Sequence, residues 1–124
     1  MLEDIKPVLK ISLITRTEKG EPFCGPGMIK LLLEIQQNGN VRDACEKMGM
    51  SYTKGWKLLG RLERWLGFTV VIRQQGGKGG GEAHLTEEGV AFMEKHRAFL
   101  RECETAVGDI FQRYYPEKSL ADDR

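Results

Sequence analysis

Two short amphipathic stretches hinged on one glycine, between Asn40 and Gly67, constrain this chain more than any other feature. Asn40 suits an N-cap, and Val41, Ala44, Cys45 and Met48 recur behind it at helical spacing, which predicts a helix over 41–48. Gly49 stands at its C-terminal cap, where a left-handed residue turns the chain, and Met50 is an apolar turn residue. Ser51 then caps a helix running to about Leu66 and closed by Gly67, with Trp56, Leu59, Leu62 and Leu66 on its buried face. Helix, tight glycine turn and helix at this spacing predict a helix-turn-helix, and the small Ala44 fits the point where the two helices cross closely.

The flanks extend the pattern. Residues 8–16 (VLKISLITR) place Leu9, Ile11 and Leu13 on one face, a strand period, and the Pro- and Gly-rich EPFCGPG then breaks it. Pro26 suits a first helical turn, and Met28, Leu31, Leu32 and Ile35 predict an amphipathic helix ending near Asn38 and Gly39. Beyond the helix-turn-helix, Phe68–Arg73 reads as a β-branched strand and Ala83–Thr86 as its return, joined by a glycine-rich tip. Thr86, Glu87 and Glu88 open a last helix over roughly 87–114, acidic in its first turn as the helix dipole favours. Its apolar residues fall into heptad columns (Met93, Leu100, Val107 and Tyr114; Cys103 and Ile110; Phe92, Phe99 and Ala106), a stripe wide enough to serve a second copy of the chain. The expected fold is mainly α with a small antiparallel β hairpin: a winged helix-turn-helix with a long C-terminal helix. Its expected divisions are an N-terminal strand segment over 1–21, the winged helix-turn-helix over 22–86, the dimerisation helix over 87–115 and a disordered polar tail over 116–124.

Charge is neutral in sum, +1 from 19 basic and 18 acidic residues, but it is not evenly spread. Residues 51–81 carry Lys54, Lys57, Arg61, Arg64, Arg73 and Lys78 against Glu63 alone. No apolar run approaches the roughly 18 residues of a membrane helix, and the start MLEDIKPVLK lacks a signal-peptide layout, so a cytoplasmic protein is expected. Three cysteines (Cys24, Cys45, Cys103) without CxxC spacing argue against a disulfide framework or zinc knuckle and read as small buried hydrophobes. Two distant histidines supply no metal site; His84 reads as a solvated strand residue or a wing contact, and His96 as a pH-sensitive dimer contact. The glycine run is not a phosphate loop, since Gly79 rather than Ser or Thr follows Lys78, and Glu82 breaks a dinucleotide fingerprint. No nucleophile–base pair or paired catalytic carboxylates appear, so no enzyme, no metal and no cofactor are expected.

A run of Lys and Arg on a helix is most often a solvated face, but here it follows a glycine turn and precedes a hairpin. In that setting the helix capped by Ser51 can enter the major groove of double-stranded DNA. Ser51, Tyr52, Thr53, Lys54 and Lys57 are then expected at the DNA, the last four as base readers. Arg61, Arg64, Arg73, Gln75 and Lys78 are expected on phosphates or in the minor groove. Gly55 and Gly60 lower helix stability, by roughly 1 kcal/mol each, and Gly55 reads as a close-packing residue. Two other readings keep the fold: a protein-interaction module or non-specific architectural DNA binder, and an oxyanion sensor using the glycine wing as an anion nest.

The segment NVRDACEKMGMSYTKGWKLLGRLERWLG, followed by GGKGGGEAHLTEEG, resembles the N-terminal DNA-binding domain of molybdate-responsive ModE-type regulators. GGKGGG with Ala83 and LTEEG is the most specific element, supported by Ser51-Tyr52 and Trp56. Leu62-Glu63, Leu66-Gly67, Arg73 and Leu85–Gly89 are similar to the wider LysR-type layout. The resemblance covers about residues 22–115 and implies a dimeric transcription regulator reading an inverted repeat. Its recognition helix would be the one capped by Ser51, its wing residues 74–82. The long helix would join protomers through Met93, Leu100, Val107, Ile110 and Tyr114. ModE-type proteins carry C-terminal molybdate-binding domains, whereas nine residues follow Tyr115 here. A stand-alone DNA-binding version without direct molybdate binding is therefore expected. Lys57 departs from the family's contact residue, so no operator sequence carries over.

Overall fold

Local capping signals set the helices of the computed structural model, which describes residues 2–74 and 82–116. Helix α1 spans Pro26–Asn38, with Pro26 in its first turn and Gly39 in the left-handed region (φ 68°) at its end. The Gly39 N–H donates to the Ile35 carbonyl at 2.8 Å, satisfying one of the orphan acceptors. Helix α2 (Val41–Lys47) is capped by Asn40, whose Oδ1 accepts from the Asp43 N–H at 3.1 Å. Gly49 (φ 71°) then turns the chain. Helix α3 (Tyr52–Leu66) is capped by Ser51, whose Oγ accepts from the Lys54 N–H at 3.1 Å, and ends at left-handed Gly67.

Two small antiparallel sheets flank the helices. Strand β3 (Val71–Arg73) pairs with β4 (Ala83–Leu85) in the register Val71↔Leu85, Ile72↔His84 and Arg73↔Ala83. The Gln74 N–H donates to the Glu82 carbonyl at 2.7 Å, extending that ladder by one step. The glycine tip, with Gln75 and Lys78, lies outside the described residues, as do the anion nest read there and the polar tail from residue 117 onward. Val70 and Val71 donate their N–H groups to one Glu63 carboxylate oxygen at 2.7 and 3.1 Å, which ties the hairpin to α3. The Ala83 N–H donates to the Gly39 carbonyl at 2.9 Å, which ties it to the end of α1.

The other sheet departs from the sequence reading. Strand β1 is only Leu13–Ile14 and pairs across a bulge with β2, Pro22–Cys24, inside the segment read as a pattern breaker. Pro22 lacks an N–H and is tolerated because it starts a strand at a sheet edge. Thr15 and Glu21 close the turn: the Thr15 N–H donates to the Glu21 carbonyl at 2.8 Å, and the Glu21 N–H to Thr15 Oγ1 at 2.9 Å. Among the described residues, 8–12 have no partner strand and form none themselves, because a period of two becomes a strand only where a partner edge exists.

The core is the common inner face of these elements. Leu31, Leu32 and Ile35 of α1, Leu59 and Leu62 of α3, Val70, and Ala44 of α2 are wholly buried. Cys24 and Cys45 are buried too; burial pushes the Cys24 thiol up to about 11 and the Cys45 thiol in the same direction. Cys103 is half-buried, so only two of the three cysteines serve as core residues. Helix α4 runs over Glu87–Tyr114. Thr86 starts it: its Oγ1 accepts the Gly89 N–H at 2.9 Å while donating to the Thr69 carbonyl at 2.7 Å. A Cβ on Gly89 would lie 2.6 Å from the Val70 carbonyl oxygen, so glycine is what lets α4 begin against the hairpin.

The chain resolves into two compact units, Ile11–Glu94 and the pair Met1–Lys10 with Lys95–Arg124. Met93 belongs to the first. At 2 % exposure it is a core residue, which corrects its expected place in a dimer surface: its column of the stripe starts inside the protomer's own core. In the second unit Leu100 and Val107 are half-buried, while Phe99, Ile110 and Tyr114 are exposed. Among the described residues no helix is long and apolar enough to cross a membrane.

Candidate nucleic-acid interface

Helical geometry divides α3 into three faces. Gly55, Leu59 and Leu62 are buried, with Leu58 and Leu66 half-buried beside them. On the opposite side Thr53, Lys57, Gly60 and Arg64 recur at steps of four, three and four residues, and all are exposed. Lys54 lies next to this row and is also exposed. The sequence-predicted readers Thr53, Lys54 and Lys57 therefore stand together on an outward surface at the N-terminal half of the helix.

Tyr52 does not join them. Five residues from Lys57 it is turned by about 140° around the axis, and it is half-buried. Its ring stands edge-on to Trp56, centroids 6.3 Å apart. The Arg42 guanidinium of α2 lies 4.2 Å from the Tyr52 ring centre, and the Arg73 guanidinium of β3 lies 5.8 Å from it. Arg73 also covers Trp56 at 4.4 Å. Two cations from different elements thus share one aromatic platform, which holds their guanidinium groups in place. Sequence reasoning missed Arg42. One signal was present: a cation in the first turn of a helix opposes the macrodipole and needs another reason to be there.

Arg61 and Arg64 are differently placed from the expectation. Arg61 Nε lies 3.3 Å from a Glu21 carboxylate oxygen and Arg64 Nη2 lies 4.0 Å from the same atom. Glu21 sits beside β2, so this pair partly neutralises the C-terminal half of the helix. Within the 4.0 Å limit of an ion pair, no carboxylate among the described residues reaches Lys54, Lys57, Arg42 or Arg73. Lys54, Lys57, Arg42 and Arg73 thus carry formal positive charge at the start of α3 and beside it, without an ion-pair partner among the described residues. An open groove of about 360 Å³ beside α3 is lined by Ser12, Cys24, Met50, Lys54 and Arg61. Among the described residues no group of three or more His, Cys, Asp or Glu could hold a metal ion.

Of the two glycines inside α3, one is explained by packing. A Cβ on Gly55 would overlap the Cys45 sulfur, so its absence is what lets α2 and α3 cross at this distance. Gly60 has open space around it.

This arrangement of caps, crossing and hairpin matches a known family over most of its length. The model of the bacterial regulatory helix-turn-helix proteins of the lysR family fits residues 27–90, more than half of the chain. The chain belongs to the LysR-type regulatory helix-turn-helix family. The transcriptional regulator ModE of Yersinia pestis is 35 % identical over 82 residues, covering 66 % of this chain and 31 % of that protein. The molybdenum-pterin-binding protein MopA of Rhodobacter capsulatus is 31 % identical over 83 residues, covering 67 % and 31 %. The chain thus spans about a third of the length of the relatives it matches. Among LysR-type structures, the CbnR DNA-binding domain in complex with DNA superposes with a TM-score of 0.54 at 24 % identity, covering 70 % of this chain and 93 % of that one. The BenM DNA-binding domain on the benA site 1 DNA gives 0.52 at 15 % identity, covering 73 % and 96 %. These likenesses show the winged helix-turn-helix fold.

Proposed function

We propose that this LysR-type chain reads double-stranded DNA sequence-specifically as a transcription regulator, a homodimer on an inverted-repeat operator linked to molybdenum metabolism. The observation that carries this reading is the outward row of α3, where Thr53, Lys54 and Lys57 are exposed and the two lysines lack a carboxylate partner among the described residues. With α3 in the major groove, these N-terminal residues reach base edges, Lys as a donor to guanine and Thr toward a thymine methyl or either base type. Arg42 and Arg73, held on the Tyr52–Trp56 platform, take phosphates at the groove wall, and Tyr52 acts chiefly by positioning them. Ser51 serves as the N-cap that sets the start of the helix. Gln75 and Lys78, which lie outside the described residues, are assigned to phosphates or the minor groove by their place in the sequence alone. Arg61 and Arg64 contribute less, because Glu21 already faces them.

Dimerisation is supported by the apolar residues that α4 leaves uncovered, Ile110 and Tyr114, with half-buried Leu100 and Val107. The molybdenum link is supported by the names of the relatives. The test is the double variant Lys54→Ala/Lys57→Ala, measured by fluorescence anisotropy on a bound duplex and a scrambled one. Folding should be unchanged while the preference for the bound duplex disappears. An undiminished preference would contradict the reading.

A further inference from the structure

We propose that Gly60 is a contact point in its own right: the bare backbone at the middle of α3's outward row is where a sugar–phosphate strand of the DNA lies against the helix. This rests on the DNA-binding reading above and adds to it a residue that carries no side chain.

A glycine inside a helix costs stability relative to alanine, so a position that keeps one invites a reason. Gly55 has its reason within the protomer, the Cys45 sulfur. Gly60 has none. A Cβ there would meet nothing within 4 Å. Nor is the backbone left-handed, for the positive-φ glycines among the described residues are Gly20, Gly39, Gly49 and Gly67. Among the described residues, then, neither packing nor backbone conformation asks for glycine at this position.

Its place on the helix points to another reason. Gly60 is exposed and shares its row with Thr53, Lys57 and Arg64, so cations stand one turn to either side of it. Eight residues separate it from Tyr52, which is about 12 Å along the axis, close to the width of the major groove. If the first turn reaches base edges, the helix meets the wall of the groove at Gly60. There the absent side chain lets the helix backbone approach the strand closely, one turn beyond the base reader Lys57. A side chain at this point props the helix away from that strand.

Gly60→Ala separates stability from binding. The melting temperature should rise by about 4 °C, since alanine favours the helix and nothing obstructs it. Affinity should fall about tenfold, equivalent to ~1.4 kcal/mol, by the same factor on a preferred and a scrambled duplex. Gly60→Leu should fall further. Unaltered or tighter binding by a more stable Gly60→Ala protein overturns the inference and leaves the DNA reading intact. A loss confined to the preferred duplex overturns it too, by turning Gly60 toward a base. A lowered melting temperature would overturn it by showing that the fold itself needs glycine. Wild-type protein that retains neither duplex removes the DNA reading, and this inference with it.

Discussion

A methyl group on Gly55 would overlap the Cys45 thiol, so the crossing of α2 and α3 rests on a missing side chain facing a small one. Gly55→Ala should lower stability by roughly 1–3 kcal/mol, the usual range for overpacking, despite alanine's better helix propensity. In a double-mutant cycle Cys45→Ala should recover much of that loss, because the two atoms occupy one space. Independent, additive effects in thermal unfolding would contradict the packing account. His96 offers a second check at this scale. It is 5 % exposed, and burial lowers its pKa below the ordinary value near 6.5. As pH falls through that value the unfolded chain takes up a proton that the folded one resists, so stability declines from about pH 7 downward until the lower folded value is passed. His96→Gln should flatten denaturation midpoints across this window; an unchanged slope would mean that other groups produce it.

Among the elements, those with local punctuation were legible in the sequence. Pro26 with Gly39, Asn40 with Gly49, and Ser51 with Gly67 bracket three helices, and each observed boundary falls within a residue of the expected one. What was not legible came from pairings between distant segments. Strand β2 exists because Leu13 has an edge to offer Cys24, not because Pro22-Phe23-Cys24 looks like a strand. The pairing of Arg61 and Arg64 with Glu21 follows from that same sheet, and no local pattern forecasts it. Tyr52 adjoins Thr53 along the chain, yet its angle around the helix turns it to another face, and the angle decides. Likewise Met93 continues a heptad column that begins inside the core. Glu63 joins two elements by charge-assisted hydrogen bonds to the Val70 and Val71 N–H groups. Glu63→Ala should cost about 2 kcal/mol and loosen β3, seen as faster amide exchange at Val70 and Val71. Exchange rates no different from wild type would show that the hairpin holds without α3.

At the scale of the whole molecule, reading an inverted repeat needs two copies of α3 on one face of a duplex. The uncovered residues of α4 are the means proposed for pairing them. Leu100→Glu should give monomers in sedimentation and weaken operator binding strongly without unfolding the helix-turn-helix, because a buried unpaired carboxylate at a helix interface is expensive. A dimer that survives would move the interface elsewhere. The measurement that tests the central claim most directly is selection of bound duplexes from a random pool at about 0.15 M salt, where non-specific attraction is largely screened. The account predicts an inverted repeat with half-sites about one helical turn, roughly 34 Å, apart. Retention of duplexes with no common sequence, or of none at all, would contradict it.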